Sequence, residues 1–149
     1  VAAREAMLLG AMLAGQAFAN APVAAVHALA YPLGGNYHIP HGLSNSLVLP
    51  HVLRFNASEA GQYYAELASI MLPNKTLPTD PLEASELLST YFLVLAEDLG
   101  LQTTLRQMNI EQADLQMLAG QAMLQQRLLI NNPRDVSLDD ALAIYRQAF

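Results

Sequence analysis

From Ala6 to Leu53 the chain carries not one Asp, Glu, Lys or Arg. A run of that length cannot be a solvated face throughout, so it constrains the fold more than any other feature. Polarity inside it must come from His, Tyr, Asn, Ser and the backbone. The stretch VHALAYPLGGNYHIPHGLSN, Val26 to Asn45, places three of the four histidines there. A buried reactive site has this look, and so does an ordinary core with a few satisfied histidines.

With 149 residues, 53% of them apolar, the chain is one domain and long enough for a real hydrophobic core. Only 13% of its residues are charged, against roughly a quarter in a free-standing domain. Part of the surface is therefore expected to be covered by something else. Seven basic residues stand singly within a net charge of -6, which excludes a basic stripe and with it nucleic acid as a partner. The absence of cysteine removes disulfides, thiolate metal sites and a cysteine nucleophile, and points to the cytoplasm. Any metal would be held by imidazole and carboxylate.

The segment REAMLLGAMLAGQAFANA imitates a secretory signal, but Glu5 cancels Arg4 and the chain opens on Val1. Gln16, Asn20, Pro22 and His27 interrupt the apolar run before it reaches the ~20 residues of a membrane span, so no membrane is expected as a partner.

Residues 2 to 19, rich in Ala, Leu and Met, predict a helix apolar nearly all round and therefore buried. Pro22 suits the first turn of a second helix running to about Tyr31, after which PLGGNYHIP reads as a loop. A third helix is expected from His41 to about Phe55, with Pro50 kinking it, and a fourth, SEAGQYYAELASIML, capped by Ser58. PNKTLPTD is loop. Asp80, Pro81 and Glu83 then open a helix that Gly100 closes. Two more are expected, from Glu111 to Gln126 and from Ser137 to Ala148, the last with Ser137 and Asp140 as a capping box. No segment alternates with period two, so the fold class is all-α, a bundle of six or seven helices. Met7, Met12, Met108, Met117 and Met123 read as core filling.

His27 and Tyr31, four apart on one helix, point the same way. His41 follows His27 by fourteen residues at the mouth of the next helix, across a Gly-Gly turn that could fold the chain back. Two such histidines can converge on one metal ion. His38 and His41 form a looser H-x-x-H pair, and His51, about 80° off the helical face of His41, reads as structural. The nearest carboxylates in sequence, Glu5 and Glu59, have no spacing that marks them as further ligands. Gly34-Gly35 is too short for a phosphate loop, and Ser44 and Ser46 lack an aligned base.

Phe18 to Asn56, FANAPVAAVHALAYPLGGNYHIPHGLSNSLVLPHVLRFN, closely resembles the segment that defines the iron-containing, or group III, alcohol dehydrogenases, with its H...PLG...PHG...LPHV..(Y/F)N pattern. INNPRDVSLDDALAIYRQAF is similar to that family's C-terminal NPR stretch and final helix. The resemblance implies that residues 1–149 are a single helical C-terminal domain of a dehydroquinate-synthase-like architecture, and that the nucleotide-binding domain lies outside this chain.

It also implies a metal, Fe²⁺ or Zn²⁺, held by an aspartate and three histidines, two of which match His27 and His41. The other two belong to an upstream Asp-x3-His helix with no counterpart here. Phe18 matches a position that lines the nicotinamide and substrate pocket, and Tyr31 falls where many relatives carry a second histidine near the substrate. The implied activity is interconversion of an alcohol and an aldehyde or ketone with NAD or NADP, with the fragment alone inactive. Maleylacetate reductases share the LGG and PH portions but typically show PHAE where this chain has PHGL, so they are the second reading. A non-enzymatic helical module that oligomerises or binds a partner through its uncharged face is the third, and a homodimer is compatible with either the enzyme or the module.

Overall fold

Burial, more than local propensity, decides where the helices of this chain begin and end. The computed structural model describes residues 1–149 and contains helices and turns with no strand. Seven α-helices follow one another: α1 (Ala2–Asn20), α2 (Ala25–Tyr37), α3 (His41–Met71), α4 (Pro81–Asp98), α5 (Leu115–Met123), α6 (Gln126–Leu129) and α7 (Leu138–Ala148). Two short 3₁₀ turns, Arg106–Met108 and Gln112–Asp114, link α4 to α5. The architecture is the all-α bundle that the absence of period-two alternation implies.

The main core gathers one face of α2, the first half of α3, and α5, α6 and α7, with Leu29, Leu33, Leu47, Val48, Leu115, Leu118, Ile144 and Tyr145 at its centre. Each such side chain contributes roughly 1.5–3 kcal/mol by leaving water. The Tyr145 hydroxyl donates to the Leu29 carbonyl at 2.6 Å, which satisfies the phenol and pins α7 to α2. The far half of α3 pairs with α4 around a smaller cluster of Leu53, Ala68, Leu72 and Leu88.

This packing corrects several expectations. The PLGGNYHIP segment is not a loop at its start: α2 runs on through Pro32 to Tyr37. Ala28, Leu29, Ala30, Pro32 and Leu33 are all buried, and that shared face outweighs the hydrogen bond Pro32 cannot make. Asn36 Nδ2 donates to the Pro32 carbonyl at 2.6 Å. The second helix also starts later than expected, at Ala25, so Pro22 lies in the connection and not in a first turn.

Likewise, the two helices expected between His41 and Leu72 are one, 31 residues long, with Ser58 exposed in its middle. Pro50 is buried inside it, and its carbonyl accepts from the Ser89 hydroxyl at 2.6 Å, a tie from α4 at the proline. Beyond Ser58, Ala60, Gly61 and Ala68 are buried on the α4 side, so tertiary contact extends the helix where a cap residue alone would have stopped it. The Glu111–Gln126 helix is, conversely, divided. The Glu111 N–H donates to Asp114 Oδ2 at 3.3 Å over a 3₁₀ turn, and Gln125 leaves helical geometry between α5 and α6 so that Leu128 and Leu129 can reach the core.

A further correction is α1. The helix forms, but none of its residues is buried. It meets α2 at a bend of 110°, and Met7, Leu8, Leu9, Met12, Leu13 and Phe18 stand exposed. Its composition asks for an apolar neighbour that the other helices of this chain do not supply. Met7 and Met12 are accordingly not core filling, nor is Met117, which is exposed; Met108 and Met123 do pack against the core. No single helix is long and apolar enough to cross a membrane.

Local chemistry explains the remaining ends. The Leu82 N–H donates to Asp80 Oδ1 at 3.4 Å with Pro81 at the first position of α4. After that helix Gly100 takes φ +71°, the left-handed geometry a side chain would resist. Ser137 and Asp140 cap α7 reciprocally, Asp140 N–H to Ser137 Oγ at 3.1 Å and Ser137 N–H to Asp140 Oδ2 at 3.0 Å. The Ser137 hydroxyl also donates to Asp140 Oδ2, and this bond, with the one from the Ser137 N–H, holds the Asp140 carboxyl below its ordinary pKa.

The NNPR turn is fastened to α3 by a reciprocal amide pair: Asn56 Nδ2 to Asn132 Oδ1 at 3.0 Å and Asn132 Nδ2 to Asn56 Oδ1 at 2.7 Å. The Arg134 guanidinium lies 4.0 Å from the centre of the Phe55 ring and donates to the Phe55 carbonyl at 2.9 Å. Asn56→Ala leaves the half-buried carbonyl of Asn132 without its donor and is expected to cost about 1–3 kcal/mol. Urea unfolding at unchanged m-value measures this, and a loss near zero would show that the pair does not hold the turn.

Candidate metal centre

Two helix beginnings build the site. His27 lies in the first turn of α2, and His41 is the first residue of α3. Between them His38, at φ 55°, ends α2 in the left-handed region, with its N–H on the Gly34 carbonyl at 3.1 Å. Three residues, His38 to Pro40, then return the chain along α2. Ile39 is buried, and its carbonyl accepts from the Ser44 hydroxyl at 3.2 Å, which locks the corner. His41 thus arrives beside His27 with ring centroids 5.1 Å apart.

Tyr31, one turn beyond His27, completes a ring cluster at 6.3 Å from His27 and 6.2 Å from His41. It lines a cleft with Gly35, Asn36, Gln121, Leu124 and Gln125, walled in part by the Asn36 to Gln121 amide contact at 2.7 Å. The charge-free run therefore brings three of its polar rings to one place.

The fourth member of the cluster has no ring. Asn45, one turn after His41 on α3, sets its amide nitrogen 3.1 Å from His41 Nε2 and 3.4 Å from His27 Nε2. Two imidazole nitrogens thus face one atom. Two imidazole ligands of one ion would bring their ring nitrogens together in this way. His27 is half-buried, and burial followed by the neighbouring His41 pushes its pKa down, which keeps it neutral and able to donate. No group of three or more His, Cys, Asp or Glu side chains converges anywhere in the chain. The residues fit a metal as half of a site, supplying two donors where a closed or catalytic centre needs three or four.

Sequence reasoning brought His27, Tyr31 and His41 together, and so does the structure. Phe18 is 58% exposed on the last turn of α1 and takes no part in the ring cluster. His38 is exposed and serves as a helix terminator in the left-handed region. Asn45 was missed, although its spacing of four from His41 was visible; its second contact, to His27, exists only in the folded corner.

His51 is structural, as its helical position implies, and it is buried with Nδ1 unpartnered. Burial first, then the nearby positive Arg54, lowers its pKa from 6.5 to about 4, while Glu86 opposes the shift. Arg54 is itself held by Glu86 across α3 and α4 through a two-pronged contact, Nε to Oε2 and Nη2 to Oε1, each at 2.7 Å. That bond draws the Glu86 carboxyl below its ordinary pKa.

The chain matches the profile of the Fe-containing alcohol dehydrogenase family, C-terminal, over residues 1–149. It is 38% identical over 147 residues to 1,3-propanediol dehydrogenase of Klebsiella pneumoniae and 35% identical to lactaldehyde reductase of Escherichia coli K12, in each case along 99% of this chain and 38% of the relative. The chain thus spans well under half the length of these curated relatives. Among solved structures, it superposes on a 1,3-propanediol oxidoreductase with a TM-score of 0.84 at 36% identity, over 92% of this chain and 35% of that one. An alcohol dehydrogenase from Oenococcus oeni gives 0.85 at 34% identity, over 93% and 36%.

The His51 imidazole generates a pH prediction. An unfolded imidazole takes its proton near pH 6.5, whereas the folded one holds off until about 4. Unfolding therefore takes up a proton between those values, so this contribution is complete above pH 6.5 and is lost as pH falls towards 4. His51→Gln, which does not titrate, should lose less stability than the parent chain over that window. Melting temperatures of the two at a series of pH values decide it, and a constant gap between them would count against a buried neutral His51.

Proposed function

This chain belongs to the Fe-containing alcohol dehydrogenase family as its C-terminal helical domain, and on that premise we propose that His27 and His41 are two ligands of a divalent metal in an enzyme that interconverts alcohols with aldehydes or ketones. The observation that carries this is the approach of both Nε2 atoms to one point, 3.4 and 3.1 Å from a single amide nitrogen. The remaining donors, an aspartate and a histidine by resemblance, and the domain that binds NAD or NADP belong to the part of the relatives that this chain does not span.

When bound, the metal supplies Lewis acidity that lowers the pKa of an alcohol oxygen for hydride transfer to a nicotinamide. Imidazole accepts Fe²⁺ and Zn²⁺ alike. Burial and the neighbouring His41 favour the neutral form of His27, and both imidazoles stand beside Tyr31, which lines the cleft. Tyr31 is placed to orient a small alcohol or aldehyde there, and Phe18 to close the pocket by resemblance. With Tyr31 where many relatives carry a histidine by resemblance, this position offers no imidazole to relay a proton.

The relatives' names, a propanediol dehydrogenase and a lactaldehyde reductase, favour this reading over the maleylacetate reductase one. Their alignment along 99% of the chain leaves the non-enzymatic module without support. A homodimer is compatible with the enzyme reading, and the exposed apolar residues of α1 offer it a surface.

His27→Ala and His41→Ala in the full-length protein should each lower kcat/KM by about 100-fold or more, consistent with losing several kcal/mol of Lewis-acid stabilisation, and should reduce the iron or zinc retained after dialysis. Elemental analysis beside steady-state kinetics checks both, and normal turnover with normal metal in both variants would overturn the assignment. Tyr31→Ala should raise KM while leaving metal content unchanged.

A further inference from the structure

We propose that Asn45 is a positioning residue that holds His27 and His41 in one tautomer, with Nδ1 protonated and both Nε2 lone pairs aimed at one point, in the metal-free protein. The inference rests on the metal-domain reading for its purpose, but its geometry stands by itself. Asn45 Nδ2 carries two protons and lies within reach of two ring nitrogens, His41 Nε2 at 3.1 Å and His27 Nε2 at 3.4 Å. A nitrogen that accepts cannot also carry the ring proton, so each imidazole is driven to the Nδ1–H form.

Asn45 Oδ1 is buried and has no partner. Rotating the amide by half a turn would place its oxygen on the histidines and require both to be Nε2–H donors, so the tautomer of the two rings reports which end of the amide faces them.

The consequence is preorganisation. An imidazole in water favours the Nε2–H tautomer, which hides the nitrogen a ligand must use. Two neighbouring rings, 5.1 Å apart, could also satisfy each other or turn away. By occupying the gap between them as a double donor, Asn45 keeps both lone pairs unprotonated and convergent. Its lever is short because the residue sits one turn from His41 on the same rigid helix, and His27 is carried by the other wall of the corner.

The test is long-range ¹H–¹⁵N correlation on the full-length protein with labelled histidine, stripped of metal, at a pH where the imidazoles are neutral. Wild type should show the Nδ1–H pattern at His27 and His41, while Asn45→Ala should return both towards Nε2–H. Asn45→Asp, nearly the same shape but without donors, should invert both, and it serves where the alanine variant fails to fold. Iron or zinc affinity of Asn45→Ala should fall by about 10–100-fold, as for other residues that orient ligands. Nε2–H at either histidine in wild type, or unchanged tautomers in both variants, would overturn the proposal. If the tautomers respond as expected but wild type takes up neither iron nor zinc, the metal reading falls and the positioning role of Asn45 stands.

Discussion

The corner between α2 and α3 is the constraint on which the rest of this domain depends. Leu29 and Leu33 on one side and Leu47 and Val48 on the other are fully buried together with α5 and α7. Close-packed interiors transmit such contacts rigidly. Once those faces are matched, the angle between the two helices is set, and with it the position of His41 relative to His27. The buried bond from Tyr145 to the Leu29 carbonyl adds a directional element, since a misplaced α7 would leave a phenol unsatisfied in the core. The site is therefore a by-product of apolar packing, held by side chains that never touch it.

The same logic explains how the chain can go from Ala6 to Leu53 without a charge. A carboxylate or ammonium in the corner would need a partner against the cost of desolvation. Histidine, asparagine and tyrosine avoid that cost because each is neutral under ordinary conditions and still carries donors or acceptors. Burial lowers the pKa of His27, in the direction that keeps it a lone-pair donor. What makes the segment look like core in the sequence is also what suits it to the proposed half of a metal site.

Much of this was legible beforehand, and the failures share one cause. The caps at Asp80, Ser137 and Gly100 are local chemistry, encoded within three or four residues, and the structure uses them as read. His27 and His41 could be paired because one turn signal separated them. By contrast, Pro32 and Ser58 are local signs of a helix end that distant burial overrides, through Leu29 and Leu33 in one case and through the α4 face of Ala60, Gly61 and Ala68 in the other. Asn45 is the instructive miss at the site. Its contact with His41 follows from helical spacing, but nothing within the sequence of α3 announces that His27 will stand on its other side.

Helix α1 carries that argument one step further. Its apolar surface is continuous in sequence with the buried corner, yet it ends up entirely exposed, at a bend of 110° from α2. Leu8, Leu9, Met12 and Leu13 are individually as suited to a core as Leu29 or Leu33, so composition cannot separate the two helices. What separates them is whether the rest of the chain offers a complementary face. The histidine pair has the same character as α1: each is a local structure fully formed by this chain. An exposed apolar helix and two histidines proposed as half of a metal site are both features that a further surface would complete, and the chain spans 38% of its relatives' length.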